Sequence, residues 1–343
     1  MKRLLIITLG VILLFSPVSV FAKKGFQKGM SYPAYTKKVL SKSKSDLRLT
    51  QLERTGTKWV ALVPVWYQKN YKSNNIYQAS FSATDKSVIH AINKIHDLDM
   101  KVMLKPYVDS EDDVWRAEFE PRDFDTWFDS YSDFMLHYAQ MAKDNNVEQL
   151  SLGVEYNFAE SETQKWEQLI NEVRQIYSGK LTYSANWAAN NGEGGYRKIE
   201  FWDKLDFVGI DAYFPLTDDN YDPSVKQLKK GWNQWINQIQ RWRKKNNLTD
   251  KKIIFTEIGY SSYDGVNTEP WGYDYDGKDE DQQEQKDCYK AFFKKVYPKK
   301  WMKGTYWWYW DNPSTNDSTS PKYLNFTTRK KLAAKTLRKY YKK

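Results

Sequence analysis

Eight short apolar segments of strand type alternate with longer segments of helical periodicity along the chain. Such alternation predicts a parallel sheet with helical crossovers, and eight units are the number that closes a barrel. A doubly wound sheet is the alternative, but Pro33, Ala34 and Tyr35 occupy the place where that fold carries a glycine-rich turn. The sequence therefore predicts an α/β fold, the (β/α)8 TIM barrel. The predicted strands cover residues 29–33, 59–66, 101–107, 147–155, 180–186, 205–213, 252–257 and 304–310.

Helical patterns follow these strands, with capping residues at some of their starts. Thr84 and Ser161 precede two of the patterns and are predicted to cap them. A short helical element is predicted near residues 199–204. No repeat or low-complexity linker divides the chain, so a single catalytic domain is predicted over residues 23–343. The predicted helices cover residues 45–55, 84–97, 123–144, 161–177, 223–245, 281–297 and 327–341.

The first 22 residues have the features of a secretory signal peptide. Lys2 and Arg3 precede an apolar run that ends near Ala22, a small residue suited to cleavage. An uncleaved membrane anchor is the alternative, but the apolar run is short for a spanning helix, which needs about 20 residues. The prediction is a signal peptide at residues 1–22 and an extracellular protein. Cys288 is the only cysteine, so no intrachain disulfide can form.

Positive charge is concentrated near the C-terminus of a chain whose formal net charge is +10. Arg329, Lys330 and Lys331 form one basic cluster, and residues 338–343 form another. A solvated helix face and attraction to an anionic cell wall are both compatible with this pattern. No nucleic-acid motif accompanies the charge, so no nucleic-acid partner is expected. We expect a monomer.

Two glutamates stand where apolar strands meet their loops. Glu155 ends the fourth predicted strand and Glu257 ends the seventh. In a barrel of this type the C-terminal strand ends face the active site, and a buried carboxylate is costly unless it is paired or functional. Glycoside hydrolysis uses such a pair of carboxyls on either side of the scissile bond. The alternative is that one glutamate only forms a structural ion pair with a nearby lysine or arginine.

Several short motifs at successive strand ends make the chain resemble glycoside hydrolase family 113, whose characterised members are chiefly β-1,4-mannanases. Most members of the wider clan of retaining barrels have Asn directly before the acid/base, where this chain has Val154. Family 113 is similar to this chain in having glycine two places before that glutamate. The motifs are VMLKPYVD at 102–109, WR at 115–116, GVE at 153–155, GIDAYFP at 209–215, TEIGY at 256–260 and the tryptophan-rich eighth strand.

The resemblance implies a role for each glutamate. Glu155 would be the acid/base and Glu257 the nucleophile of a retaining mechanism. Apolar surroundings would raise the pKa of Glu155, which must carry a proton at rest. Tyr213 resembles the tyrosine that donates a hydrogen bond to the nucleophile in such enzymes, and Lys105 would contact substrate or a carboxylate.

Further substrate-binding residues are predicted from position and residue type. Trp115 and Arg116 combine a stacking ring with a fork of donors, and Asn186 and Trp187 leave the fifth predicted strand. Period-two alternation puts Trp308 and Trp310 on one face of the eighth strand and Trp307 on the other, with Trp310 favoured as a sugar platform. Trp271, in the long loop after Glu257, is a further candidate. The alternative is that these rings are core.

No metal or cofactor is expected. The three histidines fall on predicted helices without ligand spacing. The acidic run Asp274, Asp276, Asp279 and Glu280 departs from the calcium-loop pattern. The predicted function is hydrolysis of a β-1,4-linked polysaccharide, most specifically mannan. Two alternatives stay open: a different β-glycan such as cellulose, xylan or chitosan, and a non-catalytic barrel that binds cell-wall polysaccharide.

Overall fold

Eight parallel strands pair side by side and close into a barrel in this computed structural model, which describes residues 23–188, 194–313 and 324–343. The barrel closes because the strand Gln27–Ala34 pairs with both Met302–Trp307 and Trp59–Gln68, and the predicted TIM barrel is confirmed. The predicted signal peptide, residues 1–22, lies outside the described residues. The strands are β1 (Gln27–Ala34), β2 (Trp59–Gln68), β3 (Ile76–Tyr77), β4 (Lys101–Leu104), β5 (Tyr107–Ser110), β6 (Gln149–Val154), β7 (Lys180–Asn186), β8 (Phe207–Asp211), β9 (Lys252–Ile258) and β10 (Met302–Trp307).

Strands β3 and β5 lie outside the eight-strand circuit. Both pair with the C-terminal half of β2, where Val65 is opposite Tyr107 and Tyr67 is opposite Tyr77. The third predicted strand is therefore two strands, β4 and β5, separated by Lys105 and Pro106. Proline has no N–H to donate, so the ladder is interrupted there.

Helices follow most barrel strands and cover the outside of the barrel. Thr84 accepts a hydrogen bond from the backbone N–H of Ser87 and caps its helix as predicted. Ser161 is not a cap, because Glu162 occupies the N-cap position of the following helix. The closing helix begins at Ala333, later than predicted. The helices are α1 (Ser43–Glu53), α2 (Asp85–Asp97), α3 (Phe124–Asp144), α4 (Thr163–Ile176), α5 (Val225–Lys245), α6 (Gln282–Lys295) and α7 (Ala333–Tyr341).

After β7 the chain forms two short 3₁₀ turns, Gly195–Arg197 and Phe201–Lys204, close to the predicted short element. Within the described ranges, no helix combines the length and the apolar character needed to cross a bilayer.

Much of the aromatic content packs between the barrel and the helices. Trp127, Trp166, Trp232 and Trp307 are fully buried. Trp307, for example, stacks on Tyr289 of α6 with ring centroids 3.7 Å apart. These rings stabilise the layer that holds the strand ends in place, so they are core residues and not sugar platforms.

Gly153 on β6 lies against the ring of Tyr183 on β7. A Cβ at Gly153 would lie 2.4 Å from Tyr183 Cε2 and 3.0 Å from Trp166 Cη2. Both rings are buried and packed on one another, so neither can move away cheaply. Packing therefore requires glycine two positions before Glu155.

We expect Gly153→Ala to reduce the free energy of unfolding by about 3 kcal/mol, the upper end of overpacking costs in a core. Gly277→Ala is the control, because its Cβ would meet no atom within 4 Å and only its φ of +69° opposes the change. That control should cost about 1 kcal/mol. Urea denaturation of both variants measures the difference, and equal losses would show that Tyr183 does not constrain Gly153.

Candidate active site

A cavity of about 830 Å³ lies at the C-terminal ends of the barrel strands. Nine of the eleven site residues predicted from the sequence line it, and the two that do not are Lys105 and Trp310. Ala188 and three tyrosines, Tyr35, Tyr107 and Tyr273, complete the lining. The predicted residues at the cavity are Trp115, Arg116, Glu155, Asn186, Trp187, Tyr213, Glu257, Trp271 and Trp308.

Lys105 lies beneath the cavity, at the break between β4 and β5. Its side chain is fully buried and its Nζ lies 2.7 Å from Glu257 Oε1 and 3.1 Å from Asp211 Oδ1. Of the two contacts predicted for this lysine, the carboxylate contact is present. Contact with substrate was wrong, because the lysine has no surface in the cavity.

Glu257 is surrounded by hydrogen-bond donors. Its Oε1 accepts from Lys105 Nζ and from the Tyr107 hydroxyl, and its Oε2 accepts from the Tyr213 hydroxyl at 2.7 Å. The bond expected from Tyr213 is therefore present. Three donors on two oxygens hold this carboxyl in one orientation and stabilise negative charge on it.

Asp211, the last residue of β8, shares the lysine with Glu257. It is fully buried and accepts from Thr256 Oγ1 at 2.7 Å as well as from Lys105. Burial, and next the charge of Glu257, raise the pKa of Asp211 well above its usual range.

Glu155 follows β6 directly and has a left-handed backbone conformation, with φ of 57°. This region costs a residue other than glycine about 1–3 kcal/mol, so the surrounding structure must hold it there. The N–H of Glu155 donates to the Ser184 carbonyl on β7 at 2.9 Å, and its carbonyl accepts from the N–H of Asn157 at 2.8 Å. The turn directs the Glu155 side chain into the cavity, although this residue comes directly after a buried strand.

The Glu155 carboxyl has fewer donors than Glu257. Arg116 Nη1 and Trp115 Nε1 both reach its Oε2, at 3.2 and 3.3 Å. Among the described residues, nothing donates to its Oε1. Burial raises the pKa of Glu155; Arg116 opposes this shift and the charge of Glu257 adds to it. This glutamate is thus suited to hold a proton that faces the cavity.

Asp109 and Tyr107 hold Arg116 in place. The guanidinium donates to Asp109 Oδ1 from both Nε and Nη2, the latter at 2.6 Å, and its Cζ lies 4.3 Å from the centre of the Tyr107 ring. Its charge therefore acts on Glu155 from a fixed position.

Aromatic rings form the walls of the cavity. Trp308 lies parallel to Tyr107, with ring centroids 6.4 Å apart. Trp187 and Trp271 stack on each other at 5.4 Å and join the loop after β7 to the loop after β9. Trp271 is 42% exposed and Trp115 is 41% exposed, so both present open ring surface. Such flat surfaces suit ligands that combine apolar faces with polar edges.

The prediction that Trp310 forms a sugar platform was wrong. Trp310 is 2% exposed, its Nε1 donates to the Arg48 carbonyl at 3.0 Å, and it does not line the cavity. Strand β10 ends at Trp307, so the alternation that grouped Trp310 with Trp308 does not continue to residue 310. Trp308 alone of the two reaches the cavity.

Sequence reasoning missed Tyr107, Asp211, Tyr35 and Tyr273. The signal for Asp211 was the one used for the glutamates, a carboxylate at the end of an apolar strand. Tyr107 follows the Lys105–Pro106 break and could have been found had the break been recognised. Tyr273 lies on a loop, where no periodic pattern indicates which way a side chain points.

A group of acidic residues lies at the start of α6, apart from the cavity lining. Carboxylate oxygens of Asp264, Asp281 and Glu284 lie within 4.8 Å of one another. Asp281 caps α6, and Glu284 accepts from the backbone N–H groups of Gly265 and Asn267. The acidic run that was compared with a calcium loop, Asp274, Asp276, Asp279 and Glu280, does not belong to this group.

Sequence comparison identifies the family. The sequence model of Glycoside Hydrolase Family 113 matches residues 30–331, most of the chain. The chain belongs to glycoside hydrolase family 113. It is therefore a glycoside hydrolase, as the sequence motifs predicted. No match was found among curated proteins.

Solved structures of family 113 agree with this assignment. A GH113 β-1,4-mannanase solved as a complex superposes with a TM-score of 0.79 at 26% identity, covering 92% of this chain and 99% of the other. The β-mannanase AaManA from Alicyclobacillus acidocaldarius, in complex with ManMIm, has a TM-score of 0.79 at 24% identity and covers 93% and 97%. A β-glucuronidase from Ruminococcus gnavus shares the fold at 12% identity, with a TM-score of 0.60 and coverage of 92% and 50%.

The two charges beside Glu155 should shift its pKa in opposite directions. Glu257→Gln removes a negative neighbour and is expected to lower the pKa of Glu155, whereas Arg116→Gln removes a positive neighbour and is expected to raise it. Carbon-13 NMR titration of labelled glutamate, with the Glu155 signal assigned from Glu155→Gln, measures both shifts. Shifts of the same sign would contradict this electrostatic description.

Proposed function

We propose that this family 113 protein is a secreted retaining endo-β-1,4-mannanase in which Glu155 is the acid/base and Glu257 the nucleophile. One observation carries the proposal: two carboxyls line one cavity in opposite environments. Glu257 receives three donors, while burial raises the pKa of Glu155 and leaves its Oε1 without a donor among the described residues. A double displacement needs this asymmetry between an ionised nucleophile and a protonated acid.

In the first step an oxygen of Glu257 attacks the anomeric carbon, and the bond from that carbon to the leaving oxygen breaks. Glu155 gives its proton to that oxygen, so the product leaves as an alcohol and Glu155 becomes a carboxylate. In the second step Glu155 takes a proton from water, the water oxygen bonds to the anomeric carbon, and Glu257 is released. Two inversions leave the β configuration unchanged.

The other cavity residues have supporting roles in this proposal. Tyr213, Tyr107 and Lys105 hold Glu257 in line with the anomeric carbon, and Arg116 stabilises Glu155 after it has lost its proton. Trp308, Trp187, Trp271 and Trp115 offer ring faces to successive sugars. Asn186 lines the same cavity and supplies an amide for a hydroxyl.

Mannan is the proposed substrate because two solved family members that superpose on nearly the whole chain are β-1,4-mannanase and β-mannanase structures. Specificity among β-glycans rests on a few kcal/mol of contacts from loops. Cellulose, xylan and chitosan are therefore included in the test, as is binding without cleavage.

Secretion and assembly state belong to the same proposal. The basic and apolar N-terminal segment supports export with cleavage after Ala22. We propose that the mature chain acts outside the cell as a monomer, attracted to anionic wall material by its basic C-terminus.

The wild-type protein is expected to release reducing ends from mannan and glucomannan faster than from cellulose, xylan or chitosan. Glu257→Gln should lower kcat/KM on mannan at least about 10³-fold, because it replaces the nucleophilic carboxylate with a neutral amide of the same shape. Glu167→Gln, a carboxyl on the outer face of α4, is the matched control and should retain activity. Binding of mannan without release of reducing ends would favour the non-catalytic barrel.

Glu155→Ala should slow cleavage of mannan but retain more activity on aryl mannosides, whose leaving groups need no proton. Azide enters the space left by the side chain and should yield a β-mannosyl azide, identified by proton NMR. An α-mannosyl azide would mean that the reaction inverts, and an absence of azide product with unchanged rates would remove Glu155 from the acid/base role.

A further inference from the structure

A basic groove lies on the flank of the barrel between α1 and α7, apart from the catalytic cavity. It encloses about 490 Å³. We call it the flank groove. Among the described residues its lining has no acidic side chain and consists of six basic residues, Arg54, Arg329, Lys330, Lys331, Lys335 and Arg338, together with Gln51, Trp310 and Ala334.

Four of the six basic residues of the flank groove are not paired with a carboxylate among the described residues. Arg54, Lys330, Lys335 and Arg338 are exposed, and within the described part of the chain none of the four has an ion pair. Asp311 lies close by, but Arg329 Nη2 contacts it at 2.6 Å and Arg48 Nε lies 3.7 Å from it. A carboxylate already shared by two arginines neutralises little further charge.

The spacing of the cations suits a polymer with regular negative charges. Lys335 and Arg338 are three residues apart on α7 and lie on one face of that helix, while Lys331 stands two residues before the helix begins. Arg54, at the C-terminal end of α1, lines the same groove as these residues.

Lys331, which lies just before α7, adds a buried basic group to the groove. It is 7% exposed, and its Nζ donates to the backbone carbonyl and side-chain oxygen of Asn325. Burial lowers the pKa of Lys331 to about 7. An anion bound in the groove would offset this penalty and favour the charged ammonium.

The groove offers charge but no stacking surface. Trp310, the single aromatic lining residue in the described part of the chain, is almost fully buried, and its Nε1 donates to the Arg48 carbonyl. Proteins that bind single-stranded nucleic acid place exposed rings against the bases. The lining therefore favours a ligand that is recognised through its negative groups alone.

We propose that the flank groove binds an anionic polysaccharide, a glycan whose repeating units carry carboxylate or phosphate groups. The partner class rests on the proposed extracellular function, because such polymers are found outside the cell. Binding at the flank leaves the catalytic cavity free, so the enzyme could be retained on charged wall material while it cleaves a neutral glycan.

The test compares two triple variants with equal loss of charge. Lys330→Gln/Lys335→Gln/Arg338→Gln removes cations from the groove, and Lys226→Gln/Lys230→Gln/Lys244→Gln removes three exposed cations from α5. Binding of the mature protein to polygalacturonate and to a phosphate-bearing mannan is measured by affinity electrophoresis at low salt, with neutral dextran as the uncharged reference. The two anionic probes show which group the groove prefers.

We expect the groove variant to bind at least one anionic glycan at least tenfold more weakly than wild type, and the α5 variant to lose less than twofold. Equal losses in the two variants would mean that net charge and not the groove is responsible. No binding by wild type, or tighter binding of duplex DNA than of either glycan, would overturn the proposal. Mannan hydrolysis, measured in parallel, should be unchanged in the groove variant, and its absence in wild type would reject the proposed function without affecting the binding result.

Discussion

The site depends on one buried ammonium, that of Lys105, held between the carboxyls of Asp211 and Glu257. Removing such ions from water costs several kcal/mol each, and contacts of good geometry must offset that cost. The three side chains come from three different strand ends, so these contacts form only if the barrel closes in the observed register. Thr256 and Tyr213 complete the hydrogen bonds of the two carboxyls. The contacts of Lys105 with Asp211 and Glu257 therefore link the closure of the barrel to the geometry of the active site.

The two glutamates differ because the backbone presents them differently. Glu257 lies within β9, where Tyr213 from the loop after the adjacent β8 and Lys105 and Tyr107 from the β4–β5 segment contact its two oxygens. Glu155 lies one residue past the end of β6, in a left-handed turn that directs it into the cavity with both described donors on a single oxygen. Three donors contact both oxygens of Glu257, whereas Glu155 has two donors on one oxygen and burial raises its pKa. This difference separates a group suited to attack from one suited to hold a proton.

Periodicity predicted the barrel and the location of both glutamates, because strand ends in a parallel barrel converge on one face. It could not predict where a strand stops, and this is why Trp310 was assigned to the cavity: β10 ends three residues earlier. Tyr107 was missed because residues 101–107 were predicted as one continuous strand, whereas the chain breaks between β4 and β5. Asp211 was overlooked although it satisfies the criterion that selected Glu155 and Glu257. Contacts between loops depend on tertiary packing that no local pattern encodes.

The central claim is that Glu257, held by Lys105, Tyr107 and Tyr213, is the nucleophile of a retaining mechanism. The most direct measurement is mass spectrometry of the protein after inactivation by a 2-deoxy-2-fluoro-β-mannosyl fluoride, which slows release of a covalent intermediate. We expect one fluoromannosyl group per chain, located by peptide mapping on Glu257. A label on Asp211 or Glu155, or release of the α-anomer from substrate, would contradict the claim.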